Sequence, residues 1–136
     1  MAPTPRQTRY DGVHCTFVIE RVPGDVVVVR ISGTDIGELA DAPMIALNNE
    51  VSAGGPVDLF IDARDVRGAS IEVSGEWASW LSSHKESLRA VTMLTGSRFV
   101  QITAEFVRRF ANLEGVMRIC TESTVFDRAL SDAMKS

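Results

Sequence analysis

A short apolar run in the middle of the chain constrains the fold more than any other feature. It lies within residues 56–66, where four apolar side chains occur between Val57 and Ile61. The run is too short for a buried helix, and it is typical of a central strand that is buried on both faces. We therefore expect an α/β fold, with Asp62 at the point where this strand ends.

Apolar periodicity and turn residues place the other elements around that strand. We expect strands at residues 13–22, 26–32, 56–66, 89–94 and 116–120. We expect helices at residues 43–52, 73–84 and 98–113 and from 121 or 123 onward, with a helical turn at 36–39 and a loop at 67–70. The order β-β-α-β-α-β-α-β-α predicts a mixed, mostly parallel five-stranded sheet with an N-terminal antiparallel hairpin and four helices.

Composition and length set the broad class. Residues 1–12 are polar and lack the apolar segment of a signal peptide, so we expect a frayed or disordered tail before a single domain at 13–136. No apolar stretch is long enough to span a membrane. The net charge of -4 argues against a dedicated nucleic-acid binder. We expect a cytoplasmic protein in which Cys15 and Cys120 are free and buried.

The third predicted helix carries a long apolar stripe. Its members recur at helical spacing and are Phe99, Ile102, Thr103, Phe106, Val107 and Phe110. We expect this stripe to pack on the sheet, while Arg108 and Arg109 lie on the opposite face. Ser97 and Arg98 at the start of the helix are a candidate anion contact, because a helix N-terminus favours negative charge. The alternative is a solvated basic face balanced by Glu105.

The order of the elements resembles the STAS domain of bacterial anti-sigma-factor antagonists. It is also similar to the SpoIIAA-like family, which relates that fold to the SEC14-type lipid-binding fold. The residues that carry the resemblance are Gly33 after the second strand, the run 59–62, Val66, and Ala129 and Leu130 in the last helix. The resemblance covers residues 13–134, and the segment from His84 into the third helix is closest to the SpoIIAA-like branch.

The resemblance also implies a phosphorylation site. In the antagonists, a partner kinase phosphorylates a serine of an Asp-Ser-Ser-Gly motif after the central strand. The nearest match is residues 72–75, where only Ser74 and Gly75 agree with the motif. Ser74 is therefore one candidate, and Ser70 is a second by position. The alternative is that Ser74 is a plain N-cap of the following helix.

Two further groups of side chains are candidate partner or ligand contacts. Asp62, Arg64 and Asp65 follow the central strand at the expected carboxyl edge of the sheet. The alternative for this group is a solvated loop in which Arg64 pairs with a neighbouring carboxylate. In the second predicted helix we expect Trp77 in the core, whereas Trp80 is a candidate contact because aromatic side chains are enriched at binding hot spots.

The sequence contains no convincing catalytic, metal or cofactor motif. The soft-metal ligand types are His14, Cys15, His84 and Cys120, and they lack the spacing of a zinc site. Residues 82–85 match Ser-x-x-Lys without the companion motifs of a serine acyl-enzyme. Neither glycine-rich phosphate-binding motif occurs. We therefore predict a protein that is not an enzyme and needs no metal or cofactor.

Two functions remain open from the sequence. The first is a regulatory module that binds another protein, which the element order and the lack of a catalytic motif favour. The second is a carrier or sensor of a small apolar ligand or lipid, which the SpoIIAA-like resemblance and the aromatic residues of the second and third helices favour. Neither function involves nucleic acid or stable membrane insertion. An exposed hairpin edge or helix face would also permit homodimerisation.

Overall fold

A six-stranded sheet and four α-helices make up the computed structural model, which describes residues 6–52 and 54–135. The strands are β1 (Arg6–Asp11), β2 (Cys15–Val22), β3 (Val26–Asp35), β4 (Val57–Ala69), β5 (Leu88–Thr95) and β6 (Met117–Cys120). The α-helices are α1 (Ala42–Ser52), α2 (Ile71–Ser83), α3 (Arg98–Phe110) and α4 (Ser123–Met134). A single 3-10 turn at Lys85–Ser87 follows α2.

The strands lie in the sheet in the order in which they occur in the chain. β1, β2 and β3 pair antiparallel, and β3 to β6 pair parallel. Right-handed crossovers between successive parallel strands all return over the same face, so α1, α2 and α3 share one face and α4 covers the other. The predicted mixed, mostly parallel sheet with an N-terminal antiparallel hairpin and four helices is confirmed.

β4 is the central strand that the apolar run predicts. It lies between β3 and β5, and Leu59, Phe60 and Ile61 are all buried. Leu59 and Ile61 pack toward α1, α2 and α3, whereas the Phe60 ring contacts Phe126 of α4 edge-on, with 5.6 Å between ring centroids. Because both faces of the strand are covered, its sequence shows no alternation of apolar and polar residues.

The predicted strand count and part of the predicted tail are wrong. Residues 6–11 form β1, which pairs with β2 from Arg6 opposite Arg21 to Asp11 opposite Thr16. β1 is an edge strand in which Tyr10 is the one apolar side chain that packs on the core, so no apolar alternation marks it and its backbone pairing with β2 defines it. Residues 1–5 of the expected tail lie outside the described residues. The single domain at 13–136 stays a prediction.

β4 runs past its predicted end. The loop expected at 67–70 is strand as far as Ala69, so Asp62 lies within the strand rather than at its end. β4 carries an extra residue relative to β3 at two places, opposite the steps from Arg30 to Ser32 and from Gly33 to Thr34. Such bulges bend a strand without ending its pairing, and polar residues in this segment therefore do not indicate a loop.

Two predicted helical boundaries also differ. The helical turn expected at 36–39 is replaced by non-helical turns, because Gly37 and Ala40 have positive φ values of 84° and 52°. α3 ends at Phe110 rather than 113, because Asn112 has a φ of 59°. The N–H of Leu113 then donates to the carbonyl of Arg108 at 2.9 Å, which is the hydrogen bond of a Schellman helix end.

α3 packs with a different face from the one that the sequence predicts. Its buried side chains are Val100, Ala104 and Val107, followed by Ala111 just after the helix. The larger apolar side chains are exposed, with Phe99 64%, Ile102 57%, Phe106 61% and Phe110 69% accessible to solvent. Small side chains under α3 let the helix lie closer to the sheet than a layer of phenylalanine rings would allow.

Candidate functional site

Ser70 fixes the start of α2 at the carboxyl end of the parallel strands. Its backbone N–H donates to the carbonyl of Asp35 at 2.9 Å, and its Oγ accepts from the N–H of Val73 at 3.2 Å. Ser70 is therefore the N-cap of α2, which satisfies one of the free N–H groups at the helix start. The side chain is half-buried, between the end of β3 and the first turn of α2.

Ser74 lies inside α2 and does not cap it. Its Oγ donates to the carbonyl of Ser70 at 3.0 Å, and the residue also lines the cavity described below. The alternative interpretation of Ser74 as an N-cap is therefore wrong, since Ser70 has that role. The two candidate phosphorylation sites are thus the N-cap of α2 and a residue of its first turn, with different surroundings.

The side chains of Asp62 and Arg64 link β4 to α4, and both residues stay predicted partner or ligand contacts. The Arg64 Nε donates to both carboxylate oxygens of Asp62, at 3.0 and 3.1 Å. A second guanidinium nitrogen of Arg64 donates to Asp127 of α4 at 3.0 Å. The hydrogen bond to Asp62 raises the pKa of Arg64 above its usual value. Asp65 is exposed on the same strand and stays a predicted contact.

Trp80 is largely buried between α1 and α2. Its ring stacks on His84 with 4.3 Å between centroids and meets Trp77 edge-on at 6.3 Å. The indole N–H is buried and has no hydrogen-bond partner among the described residues. One edge of the ring reaches a shallow surface groove that Met44 and Asn48 of α1 also line. Trp80 stays a candidate contact through that groove.

Ser97 has the same relation to α3 as Ser70 has to α2. Its Oγ accepts from the N–H of Val100 at 3.1 Å, which makes Ser97 the N-cap of α3. Arg98 is exposed beside it. These contacts account for Ser97 structurally, and the anion contact of Ser97 and Arg98 stays a prediction.

An apolar cavity lies between α2, α3 and the sheet. Its volume is about 80 Å³, and its walls are almost entirely apolar. The larger lining side chains are Ile31, Ile61, Trp77, Leu81, Met93 and Met117. The volume is roughly half that of the ~150 Å³ cavities that accept benzene. Sequence reasoning missed the cavity because its walls come from strands and helices far apart in the chain.

Three exposed aliphatic side chains lie in segments that hydrogen bonds hold together at the same end of the molecule. Val13, Ile36 and Ile71 are 89%, 54% and 88% exposed. The N–H of Val13 donates to Glu38 at 3.1 Å, which holds the β1–β2 turn beside the loop that contains Ile36. The carbonyl of Asp35 accepts a hydrogen bond from the N–H of Ser70. This bond links the segment of Ile36, which follows Asp35, to the segment of Ile71, which follows Ser70. We call Val13, Ile36, Ser70 and Ile71 the end patch; single aliphatic residues in turns and at a helix start gave no signal in the sequence.

Three further observations concern the cysteine thiols, metal binding and membrane spanning. Cys15 and Cys120 are free and buried, as expected, and burial raises the pKa of the Cys15 thiol to about 11. Within residues 6–52 and 54–135, no three His, Cys, Asp or Glu side chains are grouped as metal ligands would be. In the same part of the chain, each helix is too short or too polar to cross a membrane.

Solved structures with this architecture include the following two. An uncharacterised protein of the DUF3478 family with a SpoIIAA-like fold, from Shewanella loihica PV-4, is 16% identical with a TM-score of 0.62, over 89% of this chain and 98% of that chain. The anti-sigma factor antagonist SpoIIAA in its unphosphorylated form is 18% identical with a TM-score of 0.58, over 85% and 96%. No protein-family model and no curated protein sequence matches the chain. The chain has the SpoIIAA-like fold of STAS domains, as the order of elements implies.

Proposed function

We propose that this chain is a non-enzymatic regulatory module that binds another protein through the end patch. The observation that carries the proposal is the exposure of Val13, Ile36 and Ile71 around Ser70 at one end of the sheet. Aliphatic side chains grouped on a surface and rimmed by polar residues are typical of a protein-binding site. The fold supports the proposal, because one protein that shares it is an anti-sigma factor antagonist.

The polar side chains of the candidate site favour binding over catalysis. Asp62 and Arg64 hold each other and α4 in place, and the hydroxyl of Ser74 is hydrogen-bonded within α2. Catalysis needs a nucleophile or base that faces a site where substrate can bind. These groups instead have structural partners, whereas the end patch offers apolar surface.

Phosphorylation of Ser70 would regulate such binding. Ser70 lies within the end patch, and a phosphate at an N-cap is favoured by the N–H groups and dipole of α2. The added charge would stand beside Ile71 and oppose apolar contact there. Ser74 is the weaker of the two candidates, because its hydroxyl is hydrogen-bonded to Ser70 and lies at the cavity wall.

The binding test compares two exposed aliphatic residues. A tagged Ile71→Glu chain should lose a stoichiometric protein partner that the wild-type chain captures from lysate of the source cells. Val125→Glu is the matched control, because Val125 is 44% exposed on α4 and belongs neither to the end patch nor to the groove beside Trp80. No stoichiometric partner under several growth conditions, or equal capture by Ile71→Glu, contradicts the proposal.

The phosphorylation test is separate from the binding test. Incubation with kinases from the same cells, followed by mass mapping, should place phosphate on Ser70 in the wild-type chain and none in Ser70→Ala. The phosphorylated chain should bind the partner less well. If neither Ser70 nor Ser74 is ever modified, the regulatory step is wrong and the binding step can still hold.

The apolar cavity supports a second candidate function, a carrier or sensor of a small apolar ligand. Its walls, formed by side chains such as Trp77 and Met93, carry little polar surface that would hold water. The volume of about 80 Å³ excludes a lipid chain in this conformation and ranks this function below protein binding. Native mass spectrometry of freshly purified protein should show a bound small molecule if the function is correct. Protein that is consistently free of ligand counts against it.

A further inference from the structure

The exposed aromatic side chains of α3 form an apolar surface that none of the described elements covers. Phe99, Thr103, Phe106 and Phe110 follow one another along one side of the helix, and we call them the aromatic row. Ile102 lies beside the row and is also exposed. The largest apolar patch on the surface of a soluble monomer is often a binding site.

We infer that the aromatic row is the contact surface of a homodimer in which α3 packs antiparallel against α3 of a second copy. The row has a spacing of four, three and four residues, which is the same in both directions along the helix. A two-fold axis between Ala104 and Glu105 would therefore place Phe99 against Phe110 of the second copy and Thr103 against Phe106. A two-fold interface requires such a self-complementary surface.

Burial of the aromatic row costs little conformational freedom and leaves no hydroxyl without a hydrogen-bond partner. The rings of Phe106 and Phe110 already stack, with 5.9 Å between centroids and 26° between planes, so little ring freedom is lost on association. The Oγ1 of Thr103 donates to the carbonyl of Phe99 at 3.2 Å. Its hydroxyl therefore enters a dry interface with a partner already in place.

The available area fits a weak dimer. A phenylalanine can bury roughly 150–250 Å², so the three rings and Ile102, each more than half exposed, offer roughly 500 Å² per copy. Two copies would bury about 1,000 Å² from these side chains, near the lower limit of specific interfaces. The dimer should therefore be reversible and concentration-dependent.

The charged side chains beside the aromatic row make salt dependence a test that distinguishes a second copy of this chain from an anionic partner. Arg98 and Arg109 are exposed on the side of α3 next to Ile102. In the antiparallel arrangement, Arg98 of one copy comes near Arg109 of the other; the exposed Glu105, one turn before Arg109, offsets part of this repulsion, and salt screens the rest. Added salt should therefore leave the dimer unchanged or strengthen it. An acidic peptide or an anionic lipid surface would bind less well in salt.

Sedimentation over a wide concentration range tests the dimer. The wild-type chain should pass reversibly from monomer to dimer, and Phe106→Glu should stay monomeric with an unchanged circular dichroism spectrum. Ile45→Glu, which changes an exposed apolar residue on α1, should dimerise as the wild type does. A wild-type chain that is monomeric at high concentration overturns the proposal, as does a Phe106→Glu chain that dimerises normally. Monomeric protein that co-sediments with phosphatidylserine vesicles also overturns it and assigns the row to a lipid surface.

Disulfide trapping tests the antiparallel direction. Phe99→Cys chains mixed with Phe110→Cys chains should form a mixed disulfide, whereas Phe99→Cys chains alone should not cross-link. Cys15 and Cys120 are buried and should not react under native conditions. Cross-linking of Phe99→Cys with itself overturns the antiparallel arrangement.

Discussion

Arg64 on β4 and Asp127 on α4 are joined by a hydrogen bond of 3.0 Å although 63 positions separate them in the chain. The same guanidinium holds the half-buried carboxylate of Asp62. Because α4 lies on the opposite face from α1, α2 and α3, this contact and the packing of Phe126 on Phe60 attach it to the sheet.

Removing Arg64 should therefore destabilise the chain more than removing Asp127. Arg64→Ala removes the guanidinium from the half-buried Asp62 and leaves it only the backbone N–H of residue 64, which should lower the free energy of unfolding by roughly 1–3 kcal/mol. Asp127 is 58% exposed, so Asp127→Ala should cost less than about 1 kcal/mol. Urea unfolding of both variants measures the difference. Equal costs would show that the contact with α4, rather than the pairing of Asp62, is the important one.

The central part of the fold was predictable because local pattern and tertiary environment agree there. The apolar residues of β4 are buried on both faces, and the four consecutive valines of β3 divide between the two faces in the same way. β1 was not predictable, because a polar edge strand is defined by backbone pairing with β2 rather than by its side chains.

The candidate site was predictable only in part, for a related reason. Sequence analysis found Ser70, Asp62 and Arg64, but the bulges that extend β4 past Asp62 leave no mark in composition. The apolar periodicity correctly predicted that α3 is a helix, but it did not determine which face of the helix meets the sheet. That choice depends on how closely the helix approaches the sheet, and the space beneath it favours Ala104 over Phe106.

Because of Glu38, the stability of the folded chain should decrease as the pH falls in the acid range. Its carboxylate accepts hydrogen bonds from the backbone N–H groups of His14 at 2.7 Å and Val13 at 3.1 Å. The hydrogen bond from His14 is the main cause that lowers the pKa of Glu38 below its ordinary value of 4.5. The stabilisation that the Glu38 carboxylate provides is therefore complete at pH values above the pKa of Glu38 in the unfolded chain. It disappears as the pH falls through the lower pKa of Glu38 in the folded chain.

Glu38→Gln provides the comparison for that prediction. The wild-type chain should have the higher melting temperature from neutral pH down to about pH 5, above the unfolded pKa of a glutamate. The gap should close as the pH falls further, because the wild-type side chain then becomes neutral as well. A gap that stays constant down to the lowest pH at which the chain folds would show that the charge of Glu38 is not involved.

Gly33 should tolerate no side chain. Its φ is 86°, and a Cβ there would lie 2.1 Å from the carbonyl oxygen of His14. Gly33→Ala should therefore lower the free energy of unfolding by about 3 kcal/mol, from backbone strain and the clash together. Gly115→Ala is the control, because a Cβ at Gly115 meets no atom within 4 Å. Similar urea midpoints for the two variants would contradict the geometry of β3 at this point.

The two faces of α3 should differ sharply in their contribution to stability. Val107 is 5% exposed, so Val107→Ala should lower the free energy of unfolding by about 1–3 kcal/mol through lost burial and an enlarged cavity. Phe106 is exposed, and Phe106→Ala should cost less than about 0.5 kcal/mol when measured at low concentration, where the chain is monomeric. Urea unfolding measures both costs under the same conditions. If Phe106→Ala is the more costly change, then the aromatic stripe faces the sheet as its periodicity alone predicts, and no surface is left for the antiparallel dimer.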